Sequence, residues 1–324
     1  MYFSRVKIQP NILKSSQLSR VLEGNVYGSH RLLWDLFPGQ DQRTFLYREE
    51  IAREQLSASP AVRGEPIYYV ISQSKPVETA LFKVESKDYL PEQNGKRPLA
   101  IGQHFTFELR ANPVVTCKVD RDDPEEFLKK RAMRSPNNKT NLTRKRVHHD
   151  VVMDAQLQFL SSLVKDFQLD SLLSAKPDKG DYKKLLLANG GEALNQRLTK
   201  LLANDPRYAE RLQQTASLSG KLEWAIKAHI DIALESWLKK QGERLGFELV
   251  VDDDGLIKLQ NSAYIWHGLP EKTKQKDKKS GFSSVDFTGE LQITDTVKFE
   301  QALFQGIGRS KAFGCGLLMV RRCM

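Results

Sequence analysis

The chain has 324 residues, of which 40% are hydrophobic and 28% charged, a composition typical of a folded protein and not of a disordered one. This length suggests about two domains. The formal net charge of +10 favours a polyanionic partner, nucleic acid before an anionic membrane surface, without establishing one. The N-terminus lacks signal-peptide features, and no apolar run approaches the roughly 18 residues of a membrane span. We therefore expect a soluble, cytoplasmic protein with no membrane partner, and three unpaired cysteines agree with a reducing compartment.

The first part of the chain predicts a ferredoxin-like α+β unit. Asn25 is placed to cap a helix that Pro38-Gly39 ends. Alternating and β-branched runs on either side of this helix predict strands. The predicted elements are a strand over 2–9, a helix over 26–37, and strands over 44–49, 67–72 and within 103–115. This order matches the ferredoxin-like pattern, although no second helix is evident.

Residues 129–150 are expected to form a basic linker. Lysine and arginine recur through this segment, and no acidic residue occurs before Asp150. Pro136-Asn137-Asn138 would interrupt a helix. We expect the linker to be mobile unless a polyanion orders it.

The remainder of the chain predicts a second α+β unit that carries a helical insertion. Leucine-rich periodicity over 152–241 indicates roughly three helices, divided by turns at 177–180 and 204–206. The later elements are strands over 247–251, 263–267 and 285–293, a helix over 297–305 and a strand over 317–320. The predicted organisation is an N-terminal ferredoxin-like domain (1–128), a linker (129–150) and a C-terminal ferredoxin-like domain (151–324) with an insertion at about 154–229.

The most distinctive stretch is the glycine-rich segment 306–316, GIGRSKAFGCG. A dinucleotide-binding loop follows a strand and opens a helix, whereas here a predicted helix precedes the glycines and a strand follows them. The spacing of a P-loop also fails, because no lysine follows a glycine at the required offset. Two interpretations remain open. The segment is a tight turn without a ligand, or its glycines allow a phosphate chain to approach the backbone beside Arg309 and Lys311.

This glycine-rich segment resembles the C-terminal signature of the CRISPR-repeat endoribonucleases. Further stretches, in order, resemble the CasE family, which processes precursor CRISPR RNA in type I-E (Cascade) systems. They are 2–8, HRLLWDLFP at 30–38, FLYR at 45–48, FELRANP at 107–113, WLKKQGERLGF at 237–247 and VDFTGELQITD at 285–295. The resemblance covers about 1–150 and 230–324. The helical region between them is longer than the family's usual connection, so its role does not carry over, and it is either a packed insertion or a surface for another Cascade subunit.

The resemblance implies two tandem ferredoxin-like (RRM-like) domains that bind a CRISPR repeat hairpin and cut at the base of its stem. It implies a metal-independent reaction without a cofactor. The ribose 2′-hydroxyl attacks the adjacent phosphate and leaves a 2′,3′-cyclic phosphate and a 5′-hydroxyl. A histidine suits the proton transfers of such a reaction because its pKa lies near the working pH. The partners implied are the repeat hairpin and other Cascade subunits, among which the product is retained.

His30 matches the family's catalytic position, and Tyr27, three residues earlier, would share a helix face with it. Tyr27 would orient the 2′-hydroxyl or bind the phosphate, and Lys311 or a lysine of the 272–279 run would stabilise the transition state. The alternatives are a surface histidine and a core tyrosine. The expected RNA-binding residues are Lys139, Arg144, Lys145, Arg146, Lys272, Lys274, Lys276, Lys278, Lys279, Gly306, Gly308, Arg309 and Gly314. A solvated loop is the alternative for the 272–279 lysines.

No metal site is predicted. His104, His229 and His267 have no partner at metal-ligand spacing, and the adjacent pair His148-His149 would point in different directions. The acidic run 252–255, DDDG, fits a turn between strands better than a magnesium site. Two other functions stay open: a non-catalytic RNA-binding subunit of the same fold, and an unrelated basic scaffold whose helical insert mediates assembly.

Overall fold

A computed structural model of the chain describes residues 1–9, 26–51, 66–90, 99–127, 144–269 and 281–323. Asn25, Lys139 and the five lysines of 272–279 lie outside these ranges, and so does the side chain of Tyr27. The chain forms two compact units. The first comprises Met1–Pro113 with Leu238–Met324, and the second comprises Val114–Trp237.

The described residues contain eleven strands and seven α-helices. The strands are β1 (Tyr2–Ile8), β2 (Phe45–Ile51), β3 (Pro66–Ser72), β4 (Phe82–Asp88), β5 (His104–Ala111), β6 (Val114–Asp120), β7 (Arg144–Asp150), β8 (Phe247–Leu249), β9 (Leu259–Gly268), β10 (Gly281–Ile293) and β11 (Leu318–Arg322). The helices are α1 (Val26–Trp34), α2 (Val151–Asp166), α3 (Lys179–Asn189), α4 (Gly191–Ala203), α5 (Pro206–Gln213), α6 (Leu218–Leu245) and α7 (Thr296–Gln305).

The first unit begins with a four-stranded antiparallel sheet in the order β2-β3-β1-β4. Period-two alternation directs Val6, Val70 and Tyr47 to one face, where they pack with Leu33 of α1. The order is that of a ferredoxin-like sheet. The described connection 73–81 between β3 and β4 contains no helix, so the second helix that the sequence did not reveal is absent from this stretch.

The second sheet of this unit has the order β11-β5-β10-β8, and β9 extends it by pairing with β10. Its helix α7 buries Phe299, whose ring contacts Phe105 on β5 and Phe247 on β8, each at 6.1 Å between centroids. Both sheets therefore follow the ferredoxin-like strand order. The prediction of an α+β fold with two tandem ferredoxin-like domains is confirmed.

One strand lies in a different sheet from the one expected. The strand predicted within 103–115 was taken as the last strand of the N-terminal unit, but β5 pairs with β10 and β11. The N-terminal sheet is completed by β4, which was not predicted because its sequence FKVESKD is mostly charged and buries only Phe82. Alternation along a strand reveals its two faces, whereas its neighbours depend on distant segments.

The expectation of a mobile linker is wrong for residues 144–150. They form β7, which pairs along its whole length with β6. Cross-strand contacts support the pairing: Arg144 meets Asp120 at 3.0 Å, and Thr116 Oγ1 lies 2.9 Å from His148 Nδ1. A high density of basic residues suggested disorder, but acidic and hydroxyl partners on the facing strand offset the charge repulsion. Residues 129–143 of the expected linker lie outside the described ranges.

The second unit contains more helices than the roughly three predicted, because short turns divide the leucine-rich region further. The carboxylates of Asp150, Asp178 and Asp205 cap α2, α3 and α5 by accepting hydrogen bonds from backbone N–H groups. Leucines spaced at helical intervals, such as Leu194, Leu198 and Leu202, form its buried core. None of the helices in the described ranges is long and apolar enough to cross a membrane.

Replacing Phe299 with alanine removes a ring that has no exposed surface and leaves a cavity between α7 and the second sheet. We expect Phe299→Ala to lower the free energy of unfolding by about 3–5 kcal/mol. Urea denaturation followed by circular dichroism measures the change. Val297→Ala on the same helix is the control, because Val297 is 53% exposed. An equal loss of stability in both variants would contradict this account of the core.

Candidate active site

The predicted catalytic residues His30 and Lys311 lie on elements that contact each other in the first unit. His30 is on α1, and Lys311 begins the 3-10 turn Lys311–Phe313 within the glycine-rich segment. This turn contacts both α1 and β2. His30 and Lys311 therefore lie on neighbouring elements, and their catalytic roles remain predictions.

The imidazole of His30 is held by aromatic neighbours. The indole Nε1–H of Trp34, one helical turn later, donates to His30 Nε2 at 3.2 Å. The ring stacks on Tyr47 at 6.3 Å between centroids and lies 6.0 Å from Phe45. A bond accepted at Nε2 requires an unprotonated nitrogen there, which assigns the proton of the neutral ring to Nδ1.

Burial lowers the pKa of His30 below its ordinary value, and the positive charge of Arg43 lowers it further. Both effects favour the neutral imidazole, which is the form that accepts a proton. Burial also lowers the pKa of Arg43. Arg43 was not predicted from the sequence, because it precedes β2 without any motif and its charge acts on His30 only in the folded chain.

Tyr47 positions the glycine-rich segment against the helix. Its hydroxyl donates to the carbonyl of Ala312 at 3.1 Å, and its ring lies against Gly314, where an added Cβ would approach it to 3.3 Å. Gly314 has a φ of +78°, which favours glycine. Tyr47 belongs to the FLYR motif, but its contact with residue 312 spans most of the chain and could not be predicted from the motif.

The backbone conformation also favours glycine at two other predicted positions, Gly306 and Gly308. Gly306 and Gly308 adopt φ values of +76° and +79°, and a Cβ at Gly306 would lie 2.8 Å from the carbonyl oxygen of Gly316. Helix α7 precedes the segment and β11 follows it, so the order that argued against a nucleotide-binding loop is observed. The backbone of Arg309 forms a bridge with Asn112. The expected contacts of these residues with RNA remain predictions.

Lys311 is half-buried. Burial lowers the pKa of its ammonium group, and the charges of Arg43 and Arg244 lower it further. His30 and Lys311 are thus both influenced by Arg43. Cationic groups crowded together in this way gain stability when an anion binds among them, and a phosphate group is the anion that nucleic acid supplies.

An ionic network lies beside this site. The guanidinium of Arg110 donates to both carboxylate oxygens of Asp286, at 2.7 and 2.8 Å, and to the backbone carbonyl of Glu49 at 2.9 Å. The Ser29 hydroxyl donates to Glu49 Oε2 at 2.9 Å, although burial still raises the pKa of Glu49. Burial raises the pKa of the Cys315 thiol to about 12, which makes it unsuitable as a nucleophile.

Of the linker residues predicted to bind RNA, Arg144, Lys145 and Arg146 lie on β7 in the second unit, and Lys139 lies outside the described ranges. Arg144 and Lys145 form ion pairs with Asp120 and Asp122 at 3.0 and 3.1 Å, and Arg146 is exposed opposite Lys118. In such exposed ion pairs, water or a ligand readily replaces either partner. RNA contact by Arg144, Lys145 and Arg146 remains a prediction.

His267 and His229 have local contacts. His267 Nε2 lies 2.7 Å from the Ser284 hydroxyl, and His229 stacks on Phe159. The acidic run 252–255 is a turn, in which the Asp252 carboxylate accepts bonds from the backbone N–H groups of Asp254 and Leu256. Among the described residues, no three histidine, cysteine, aspartate or glutamate side chains are grouped to hold a metal ion.

Comparison with known protein families gives a match to the family described as CRISPR associated protein, over residues 1–185 and 196–322. The chain belongs to this CRISPR-associated family. The family match includes most of the helical region between residues 150 and 230. The sequence motifs do not reach that region, because the resemblance they carry covers about 1–150 and 230–324. No curated protein matches the chain.

Several solved structures resemble this CRISPR-associated chain. The CRISPR endoribonuclease Cse3 bound to 19 nt RNA is 18% identical, with coverage of 99% of this chain and 100% of the other and a TM-score of 0.51, which shows a shared fold. A CRISPR-associated protein from Thermus thermophilus is 17% identical, with coverage of 99% and 100% and a TM-score of 0.48. Cas6e from Escherichia coli str. K-12 is 19% identical, with coverage of 100% of each chain and a TM-score of 0.47.

Removing the charge of Arg43 from the site tests its influence on His30. We expect Arg43→Gln to raise the pKa of His30 but to leave it below the ordinary value of about 6.5, because burial is the larger cause of the shift. NMR titration of ¹³C-labelled histidines measures the pKa, and loss of one resonance in His30→Gln assigns it. Arg31→Gln, on an exposed residue of the same helix, should leave the pKa unchanged. An equal shift in both variants would contradict a local effect of Arg43.

Proposed function

We propose that this chain is an endoribonuclease that cleaves precursor CRISPR RNA at the base of the repeat hairpin and retains the product in a Cascade-type complex. The observation that carries the proposal is the packing of His30 on Tyr47, on a helix that contacts the turn of Lys311. Burial and the charge of Arg43 lower the pKa of His30 and favour its neutral form. Cleavage by an internal 2′-hydroxyl needs a base, positive charge near the phosphate and no external nucleophile. The family match and the fold shared with an RNA-bound endoribonuclease point to the same substrate class.

His30 acts on the attacking hydroxyl in this proposal. The 2′-hydroxyl replaces the Trp34 indole as the donor to Nε2 and loses its proton there as its oxygen attacks phosphorus. The scissile P–O5′ bond breaks, and the leaving 5′-oxygen takes up a proton from solvent, which leaves a 2′,3′-cyclic phosphate on one fragment and a 5′-hydroxyl on the other. Stacking on Tyr47 keeps the imidazole in a fixed orientation during this transfer. Tyr27 is proposed to orient the 2′-hydroxyl.

Arg43 and Lys311 are proposed to stabilise the negative charge that develops on the phosphorus oxygens. The positive charge of Arg43 lowers the pKa of both His30 and Lys311, so it acts on both groups. Because the nucleophile belongs to the RNA, the step needs no activated water and no metal ion. We accordingly propose that cleavage is metal-independent and uses no cofactor.

A non-catalytic RNA-hairpin-binding subunit is the second candidate. The contact that favours it is the Trp34 hydrogen bond, which occupies the nitrogen of His30 that the reaction requires. Aromatic contacts on several sides of the imidazole would equally suit a histidine used for packing. The two candidates differ in whether bound RNA is cut.

The test is cleavage of a labelled hairpin RNA, with the repeat sequence taken from the CRISPR array of the same genome, in the presence of EDTA. We expect one cut at the stem base by wild type. His30→Ala should lower the rate by about 10²–10⁴-fold without weakening binding, because it removes the base. A 2′-deoxy sugar at the cut site should abolish cleavage. His104→Ala, on an exposed histidine of the same unit, is the matched control. Binding without cleavage by wild type would establish the second candidate instead.

Lys311 can be tested in the same assay. We expect Lys311→Ala to lower the cleavage rate by about 10²–10³-fold, which is the loss typical when one group that stabilises the transition-state charge is removed. Single-turnover kinetics at saturating protein separates this loss from weaker binding. Lys298→Ala provides a control, because Lys298 is an exposed lysine of the same unit. Unchanged single-turnover rates in Lys311→Ala would exclude Lys311 from the reaction.

The pH dependence follows from the lowered pKa of His30. If neutral His30 is the base, the cleavage rate should rise with pH as His30 deprotonates. The rate should then level off at pH values above the pKa of His30, which itself lies below about 6.5. Arg43→Gln should move this rise to higher pH, in step with the pKa measured by NMR. A rate that is independent of pH across this interval would contradict the assignment of the base.

A further inference from the structure

Strands β9 and β10 carry aromatic rings that extend to the turn of Lys311. The imidazole of His267 on β9 stacks on Phe282 of β10, at 4.7 Å between centroids and 21° between planes. Phe282 in turn stacks on Phe313, at 5.0 Å and 25°. Phe313 is the last residue of the turn that Lys311 begins. Three stacked rings therefore join this strand pair to the segment that contains a proposed catalytic lysine.

The outer ring of this stack has a polar contact of its own. His267 and Phe282 are directly opposite each other in the pairing of β9 with β10. His267 Nε2 lies 2.7 Å from the hydroxyl of Ser284, which is 1% exposed and lies on the same face of β10 as Phe282, two residues earlier. Phe282 is buried between the other two rings. A buried ring that is stacked on both faces has little freedom to reorient.

A second connection joins β10 to the glycine-rich segment. The side-chain amide of Asn112, which is buried, donates to the backbone carbonyl of Ser283 at 2.6 Å. The backbone of Asn112 also forms the bridge with Arg309, two residues before Lys311. Because the Phe313 ring attaches the segment two residues after Lys311, β10 supports the segment on both sides of this lysine.

The turn needs support from outside because its backbone conformation is unfavourable. Ser310, directly before Lys311, has a φ of +56°, a left-handed conformation that costs free energy in a residue other than glycine. Such conformations persist where surrounding contacts stabilise them. Two contacts of this kind reach the turn: the hydroxyl of Tyr47 donates to the carbonyl of Ala312, and the ring of Phe313 packs on Phe282.

We propose that Phe282 and His267 are positioning residues, which hold the turn so that the ammonium group of Lys311 lies where it can contact the scissile phosphate. This inference rests on the proposed function of Lys311 and extends it to β9 and β10. Both rings act through Phe313, away from the reacting atoms. A misplacement of about 1 Å can slow a reaction by about 100-fold, so loss of this support should lower the cleavage rate.

The first test compares two variants of the full chain that each lose a buried ring of the same sheet. Phe282→Leu removes the central ring of the stack, and Phe247→Leu removes a ring on β8 that packs on Phe299. We expect Phe282→Leu to lower the single-turnover rate of hairpin cleavage by about 10-fold, with RNA affinity within about twofold of wild type. Phe247→Leu should cleave at the wild-type rate. Equal rates in the two variants would overturn the proposal.

A matched pair at position 267 separates stacking from the contact with Ser284. His267→Phe and His267→Leu both lose that contact, but only phenylalanine keeps a flat ring against Phe282. We expect His267→Phe to cleave within about twofold of the wild-type rate and His267→Leu to be about fivefold slower. Equal rates in these two variants would overturn the role of His267.

The pKa of Lys311 gives a readout that does not require cleavage. Loosening the turn would expose the ammonium group, so Phe282→Leu should raise the pKa of Lys311 towards its ordinary value of about 10.4. NMR titration of ¹³C-labelled lysines in the RNA-free protein measures this pKa, and loss of one resonance in Lys311→Arg assigns it. An unchanged pKa in Phe282→Leu would overturn the proposal. A raised pKa in Phe282→Leu, together with wild type that binds the hairpin without cutting it, would contradict the proposed function alone.

Discussion

Arg110 joins the two sheets of the first unit to the glycine-rich segment. Its guanidinium pairs with Asp286 of its own sheet and donates to the Glu49 carbonyl on the edge strand of the other sheet. Its backbone carbonyl accepts a hydrogen bond from the backbone N–H of Gly316 at 2.7 Å. Arg110 thus supplies a donor to a backbone carbonyl on an edge strand and holds the end of the glycine-rich segment. The two parallel hydrogen bonds to Asp286 fix the orientation of its guanidinium group. The placement of Lys311 relative to α1 depends on this arrangement.

The side chains on the two faces of β2 contact different parts of the unit. Leu46 packs with Ile71 and Leu317 in a cluster that joins the N-terminal sheet to the C-terminal part of the unit. Tyr47 points to the other face, where it stacks on His30 and bonds to the turn that contains Lys311. Because adjacent residues of a strand point to opposite faces, one strand both assembles the unit and builds its proposed site. Burial by the same aromatic residues favours the neutral form of His30, so packing and the proposed chemistry are coupled.

The amino-acid sequence predicted the elements better than their partners. Helix α1, strands β1 and β3 and the helix of 297–305 were recognised from periodicity, and the motif around His30 is the basis for predicting that residue as catalytic. The pairing of β5 with β10, and of β6 with β7, was not predicted, since partners separated by many residues leave no local pattern. Arg43 and Tyr47 were missed for the same reason: the charge of Arg43 acts on His30, and Tyr47 bonds to Ala312, only in the folded chain. Charge density misidentified β7 as mobile because cross-strand partners cannot be seen along the sequence.

We propose that the RNA supplies its own nucleophile and that His30, with nearby cations, promotes the attack. Mass spectrometry of both fragments, produced by wild type with and without EDTA, identifies the nucleophile. We expect a 2′,3′-cyclic phosphate on the upstream fragment and a 5′-hydroxyl on the downstream fragment under both conditions. A 3′-hydroxyl and a 5′-phosphate would show that water is the nucleophile, and would contradict the role assigned to His30.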